Sequence, residues 1–296
     1  MRIAVLGAGS IGSLVAAKLV TSGYEVLIHA RGEHGAMLAV SGLEISGEWN
    51  ARISPDEWTV SLDGAGIHPS LENSCDQAII TSKSKDTDEL SQIATFLTKG
   101  PVLSLQNGLG NLEILKEHAF ENTAVGVTTN AVKRLQPGAI EWVGKGKLIV
   151  GGDKGDVFEK TLECLDATYN ADVTSVLWNK LLLNVAINPL AAICGVKNGE
   201  LRHEPLLSQA ESTMMEAASV ARLLGINIAN DQELLQSLHS VLDSTSENIC
   251  SMLVDVRSGK ETEIDMLCGQ VVSRAEQLGI PTPLNSMLLS QIKSLR

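Results

Sequence analysis

Gly7-Ala8-Gly9-Ser10-Ile11-Gly12 directly follows a short apolar run, Arg2–Leu6, and leads into apolar residues at helical spacing, Ile11, Leu14, Val15 and Leu19. A GxGxxG pattern on its own marks only a glycine-rich turn. Between a strand and an amphipathic helix it is the fingerprint of a dinucleotide-binding βαβ unit. Gly7 then makes the tight turn, Gly9 lets the backbone approach a pyrophosphate, and Gly12 lets helix and strand pack closely. The amides at the start of the helix, with the positive end of its dipole, face the phosphates. Gly7, Ala8, Gly9, Ser10, Ile11 and Gly12 are the candidate phosphate cradle.

The first half of the chain continues in alternation. Strands are predicted over Glu25–Ala30, 77–81, 102–105, Thr123–Thr128, 139–143 and 148–150, and helices over 33–40, 86–97 and 111–118. The segment 43–53 reads as an antiparallel ribbon and 63–74, with Gly64, Gly66 and Pro69, as a long surface loop. Strands alternating with helices imply a parallel sheet covered on both faces. From about residue 176 the pattern is helical throughout: 177–193, 204–224, 231–256, 263–278 and 284–294. The fold class is therefore an α/β dinucleotide-binding domain, 1–170, followed by an all-α domain, 171–296, with the boundary in the polar stretch 167–172.

Composition narrows the function classes. Of 296 residues, 44% are hydrophobic and 20% charged, as in a globular protein. A net charge of −12 without a basic block argues against nucleic acid as a partner. The five cysteines are odd in number, lack CxxC spacing and follow no secretory leader, so the expectation is a reduced, cytoplasmic compartment. No uninterrupted apolar stretch approaches about 20 residues, so no membrane span is expected. The histidines lack HxH and HxxxH spacing, so no metal site is expected.

The second strand ends near His29-Ala30-Arg31. An NAD-binding chain usually carries Asp or Glu there, accepting from the ribose hydroxyls, whereas a guanidinium pairs with a 2′-phosphate. Arg31 thus predicts NADP(H), with Glu33 close by as an opposing charge and a solvated loop arginine as the alternative. Asn107, in the turn after the 102–105 strand, can present its carboxamide to substrate or nicotinamide, or simply make an Asn-Gly turn. Lys83 follows the 77–81 strand and can reach a cofactor phosphate, with Lys85 as its competitor.

The second half has its own signal in the stretch 177–201. Lys180, Asn184 and Asn188 recur every fourth residue and fall within roughly 80° on one helix face. Leu181, Leu182, Leu183, Val185, Ala186 and Ile187 occupy the other directions. An ammonium and two carboxamides in such a helix cost desolvation energy unless they have a partner, which can be a small polar ligand. Pro189 is expected to break this helix. Asn248 and Ser251, three apart, are read as sharing a second helix face. Thr262 is read as an N-cap completed by Asp265, which makes Glu263 a first-turn acid.

Taken together, GAGSIG, the QNGLGN turn, the TTNAV strand, the run from WNKLLLN through INPL to NGEL, and the NICSML and TEID pair resemble the ketopantoate reductase (2-dehydropantoate 2-reductase) family over nearly the full length. The resemblance implies a Rossmann domain, an all-helical domain and an active site in the cleft between them. It implies Lys180 as general acid, and Asn184, Asn188, Asn198, Asn248 and Ser251 as substrate-binding residues. Asn107 would touch substrate and nicotinamide ribose, Glu263 would contact cofactor or orient substrate, and Val132 would make a backbone contact on the nicotinamide side. The implied reaction reduces ketopantoate to pantoate for pantothenate synthesis, in a monomer or homodimer. Two readings stay beside it: an NADP-linked reductase of another 2-oxo acid, such as a branched-chain one, and an NADP-sensing protein without turnover. The loop 63–74 is longer than the resemblance leads one to expect.

Overall fold

The structure, a computed structural model, describes residues 1–63, 67–118 and 122–295. Two compact units divide it: Met1–Asn107 with Asn111–Val173, and Gly108–Gly110 with Thr174–Arg296.

The first unit begins β1 (Arg2–Leu6), α1 (Ser10–Thr21), β2 (Glu25–Ala30), α2 (Gly32–Val40), β3 (Leu43–Gly47), β4 (Ala51–Ile53), β5 (Thr59–Leu62) and β6 (Gln77–Ile80). It continues through α3 (Thr87–Leu97), β7 (Val102–Ser104), α4 (Asn111–Glu117), β8 (Thr123–Thr128), β9 (Ala131–Gln136), β10 (Ala139–Gly144), β11 (Leu148–Gly151), α5 (Gly155–Thr161) and β12 (Ala167–Tyr169). Eight strands form one sheet in the order β12-β11-β8-β7-β6-β1-β2-β5. The run from β5 to β8 is parallel, while β11 lies antiparallel to β8, so the sheet is mixed at one edge. β1 is central, and Ile3, Ala4, Val5 and Leu6 are all fully buried. Covering on both faces is what makes this strand a continuous apolar run without alternation. The chain passes from β1 to β2 on one side and later to β6 on the other. This is the topological switch at which a crevice opens beyond the strands' carboxyl ends.

A second sheet, β4-β3-β10-β9, extends the antiparallel β3–β4 ribbon with β10 and β9. It meets α1 through Lys18, whose ammonium lies 4.0 Å from the Trp49 ring centroid and 5.3 Å from that of Trp142, a cation–π arrangement. Sequence reading placed no strand at β5 or β12 and no helix at α5, all short elements. The polar stretch 167–172 contains β12 rather than running as a linker. In the expected surface loop 63–74, Pro69–Leu71 form a 3-10 turn, and Gly64 and Gly66 lie outside the described residues.

The second unit is helical: α6 (Val173–Cys194), α7 (Leu206–Leu223), α8 (Asp231–Ser244), α9 (Ser251–Arg257), α10 (Cys268–Leu278) and α11 (Pro283–Ser294). Its core joins Trp178, Leu181, Leu182 and Val185 of α6 to Met214, Leu238, Leu253 and Leu288. Three local expectations are corrected. Pro189 lies inside α6 and does not end it; a proline removes one amide donor from the ladder, and the packing of Val185, Ala186, Leu190 and Ala191 into the core carries the helix past it. The expected helix 231–256 is two helices separated by a turn, since Asn230 and Glu233 box the first and Cys250 Sγ accepts from Leu253 N–H at the start of the second. Thr262 does not cap a helix, because Ile264–Met266 form a 3-10 turn ahead of α10 and Asp265 pairs with Lys293 at 2.5 Å. α6 is long and apolar enough to cross a membrane by composition, but 56% of its most apolar window is buried in the protein.

His34 ties three parts of the first unit together. The Gly138 N–H donates to its Nδ1 at 3.0 Å, so Nε2 carries the proton and donates to Ser13 Oγ at 3.0 Å. Burial, and secondarily the Arg134 charge, lowers its pKa from 6.5 to about 4. The folded imidazole therefore stays neutral where the unfolded one takes up a proton. Its contribution to stability is complete above pH 6.5 and declines as pH falls towards 4, by about 3 kcal/mol at the lower edge. Urea unfolding of wild type and His34→Gln at pH 7 and pH 5 should show a markedly smaller pH dependence in the variant. Equal pH dependence would mean that His34 does not titrate in this way.

Candidate active site

In the first unit the expected cofactor residues other than Val132 collect beyond the carboxyl ends of β1, β2, β6 and β7. Gly7 has φ +107°, and a Cβ on it would lie 2.6 Å from Ser82 N. A Cβ on Gly12 would meet Gly7 O at 2.0 Å and Thr81 Oγ1 at 2.4 Å, so this glycine lets α1 press onto the turn that precedes it. Gly9 differs: nothing lies within 4 Å of where its Cβ would be. It is the N-cap of α1, which has no side-chain cap and no acid in its first turn. Open space and uncapped amides at a helix start fit a pyrophosphate.

Arg31 precedes α2 at the end of β2, with its side chain 56% accessible. Its guanidinium is forked on Asp86, Nη2 to Oδ2 at 2.6 Å and Nη1 to Oδ1 at 3.3 Å. Glu33, the neighbour that complicated the sequence reading, is not the carboxylate in that fork. Lys83 is half-buried and Lys85 exposed, on the same segment after β6. The Asn107 carbonyl accepts from Ser84 Oγ at 2.9 Å and Asn111 Nδ2 at 3.1 Å.

Beside it stands a residue that sequence reading passed over. Gln106 is buried; its Nε2 donates towards Thr87 Oγ1 at 2.8 Å, Lys83 O at 3.2 Å and Ser82 Oγ at 3.3 Å, and its Oε1 accepts from Ser104 Oγ at 3.0 Å. It holds the segment after β6 against the turn after β7. The signal was a carboxamide ending an apolar strand, and it drew no notice beside Asn107. Val132 lies on β9 of the smaller sheet, opposite Trp142.

In the second unit Lys180, Asn184 and Asn188 are half-buried while Leu181, Leu182, Val185, Ala186 and Ile187 are buried. Burial lowers the Lys180 pKa from 10.5 to about 8, and the charge of Glu263 opposes that shift. The pair is brought together from α6 and from the residue just before the 264–266 turn. Asn198 is buried; its N–H donates to Asn248 O at 3.0 Å and its Nδ2 to Thr245 Oγ1 at 3.0 Å. Its Oδ1 is buried without a hydrogen-bond partner among the described residues. A buried acceptor left unsatisfied costs about 1–3 kcal/mol, which a donor from a ligand would relieve. Cys250 Sγ donates to Asn188 O at 3.6 Å, setting Ser251 beside the end of the α6 stripe. Asn248 and Ser251 are both exposed, but they share no helix face, since Asn248 lies in the turn and Ser251 opens α9. Among the described residues no three His, Cys, Asp or Glu side chains gather as a metal site.

A largely parallel sheet with a glycine-lined, uncapped helix start, together with a lysine shifted towards neutrality on an amide-lined helix, fits an oxidoreductase that uses a dinucleotide. Family profiles agree: "Ketopantoate reductase PanE/ApbA" matches residues 3–155 and its C-terminal counterpart residues 172–296. The 2-dehydropantoate 2-reductase of Pyrococcus horikoshii is 35% identical, over 99% of this chain and 97% of its own. That of Archaeoglobus fulgidus is 33% identical, over the same shares. A PanE/ApbA family ketopantoate reductase from Ralstonia eutropha superposes with a TM-score of 0.89 at 28% identity, over 100% of this chain and 98% of that one. D-mandelate dehydrogenase with NADH and anilino(oxo)acetate shares the fold, with a TM-score of 0.90 at 23% identity, over 100% and 98% of the two chains. The chain belongs to the ketopantoate reductase family, oxidoreductases acting on a CH–OH group.

Because Glu263 supports the charged form of Lys180, Glu263→Gln should lower the lysine pKa below its value of about 8. If protonated Lys180 is required for reduction, the alkaline limb of the pH–rate profile moves to lower pH in the variant. A limb that stays in place or moves upward would remove Glu263 as the group that sets the lysine.

Proposed function

We propose that this protein reduces 2-dehydropantoate to pantoate with NADPH, as a step of pantothenate synthesis, with Lys180 as the proton donor. The observation that carries the reading is the Lys180 amine, held near 8 beside Glu263 on the same helix face as Asn184 and Asn188. The activity named for the archaeal relatives supports the choice of substrate. Arg31, exposed at the end of β2, supports NADPH. Five free thiols are in keeping with a reduced compartment, and we place the reaction in the cytoplasm.

NADPH, when bound, supplies the hydride that attacks the keto carbon. Lys180 stabilises the negative charge that builds on the carbonyl oxygen and then passes its proton to that atom. An amine near 8 is mostly protonated at neutral pH, yet releases its proton far more readily than an unperturbed lysine at 10.5. Asn184, Asn188, Asn198, Asn248 and Ser251 offer donors and acceptors suited to a substrate with both a carboxylate and a hydroxyl group. Gly7 to Gly12, Arg31, Lys83, Asn107 and Val132 would hold the dinucleotide, and Glu263 favours the charged form of Lys180.

The test compares 2-dehydropantoate with a branched-chain 2-oxo acid that lacks the terminal hydroxyl. A site built to bond that hydroxyl should favour the first by a factor on the order of 10⁴ in kcat/KM; equal turnover would move the reading to a general 2-oxo acid reductase. Lys180→Ala should lower kcat by about 10²–10⁴ with the fold intact, and a nearly unchanged kcat would end its role as donor. Arg31→Ala should raise the KM for NADPH and leave that for NADH close to the wild-type value. A matching rise for both cofactors would refute the 2′-phosphate contact.

A further inference from the structure

Arg31 already has a partner within the chain. Its guanidinium meets the Asp86 carboxylate through two hydrogen bonds, at 2.6 Å and 3.3 Å, the paired geometry that suits these two groups. The two ends of the pair are held very differently. Arg31 keeps 56% of its side chain accessible, whereas Asp86 keeps 11%. The Asp86 N–H donates to Lys83 O at 2.9 Å. Gln106 grips both flanks of that turn, through Lys83 O and Thr87 Oγ1. The carboxylate is therefore the fixed member and the guanidinium the movable one.

We propose that Asp86 is a specificity-determining residue for the cofactor: it competes with a 2′-phosphate for Arg31 and holds the preference for NADPH over NADH below what Arg31 alone would give. This rests on reading Arg31 as the 2′-phosphate contact. A guanidinium has five N–H donors, and the pairing with Asp86 leaves some for a phosphate. That phosphate, with nearly two negative charges, would then face a carboxylate across a single cation. A ribose with a free 2′-hydroxyl meets no such repulsion and can donate to a carboxylate. Dinucleotide sites that take NAD place an acid at the end of the second strand for that purpose. Here an acid reaches the end of β2 from the segment after β6. One strand end thus carries both the cation that favours a 2′-phosphate and the anion that opposes it.

Equilibrium binding of NADPH and NADH, followed by nicotinamide fluorescence, tests this on wild type, Asp86→Asn, Asp86→Ser and Arg31→Ala. Asp86→Asn keeps the size of the side chain and an oxygen that accepts from Arg31, and Asp86→Ser is read in the same way if the asparagine variant fails to fold. Removing the charge should tighten NADPH about fivefold, the scale of a solvent-screened ion pair, and leave NADH unchanged or weaker. A fall in NADPH affinity overturns the proposal, because Asp86 would then be positioning Arg31 for the phosphate. A parallel change in both cofactors overturns it as well. Arg31→Ala separates the two readings. If it weakens both cofactors equally, the 2′-phosphate contact itself fails. If it weakens NADPH alone while Asp86→Asn leaves the NADPH-to-NADH ratio where it was, only the role of Asp86 fails.

Discussion

A charged amine inside an apolar helix is the constraint around which the second unit is arranged. Burying an ammonium without compensation is far more costly than a single hydrogen bond returns. α6 meets that constraint by keeping Lys180, Asn184 and Asn188 on one half-buried stripe, while its other faces enter the core. Glu263 offsets part of the cost and leaves the amine near 8 rather than driving it fully neutral. The balance matters for chemistry. A fully solvated lysine at 10.5 holds its proton tightly for a donor, and one desolvated without Glu263 would hold it more loosely than Lys180 does. The continuity of α6 past Pro189 and the shift of Lys180 both follow from burial of this helix.

The first unit solves a different problem, which is to bring backbone amides and side chains to one edge of a sheet. β1 supplies the fixed centre through burial on both faces. The turn after it is so tight that Gly7 and Gly12 admit no side chain, while Gly9 faces open space. Two strands away, Gln106 performs by side chain what the glycines do by backbone, bonding the segment after β6 to the turn after β7. Lys83 is bonded to that carboxamide through its carbonyl, while Ser84 and Asn111 bond the Asn107 carbonyl.

Much of this was legible because the signals are local. The GxGxxG context gave β1, α1 and the switch-point sheet, and the spacing of Lys180, Asn184 and Asn188 gave a helix face whose half-burial the structure bears out. Where reading failed, packing had outvoted a local rule. Pro189 punctuates a sequence but not α6, which Val185, Ala186, Leu190 and Ala191 anchor in the core on both sides of it. Thr262 has the form of an N-cap, yet Asp265 is drawn to Lys293 and the next helix starts later. Asn248 and Ser251 keep helical spacing across a turn. The meeting of Asn198 with Asn248 depends on a backbone bond between distant segments, which no spacing within either segment encodes.

The rule that reads cofactor choice from the end of the second strand has the same weakness. It takes one residue as a proxy for the electrostatics of a whole strand end. In this chain that residue is Arg31, and the rule returns a 2′-phosphate site. The charge a phosphate would meet is the sum over every segment that converges there, and Asp86 arrives from a strand on the other side of β1. Sheet order, not sequence proximity, makes the two neighbours. A sheet whose parallel strands end at one edge allows the charge at the end of β2 to be set by a residue far from the fingerprint, without disturbing the glycines of the turn after β1.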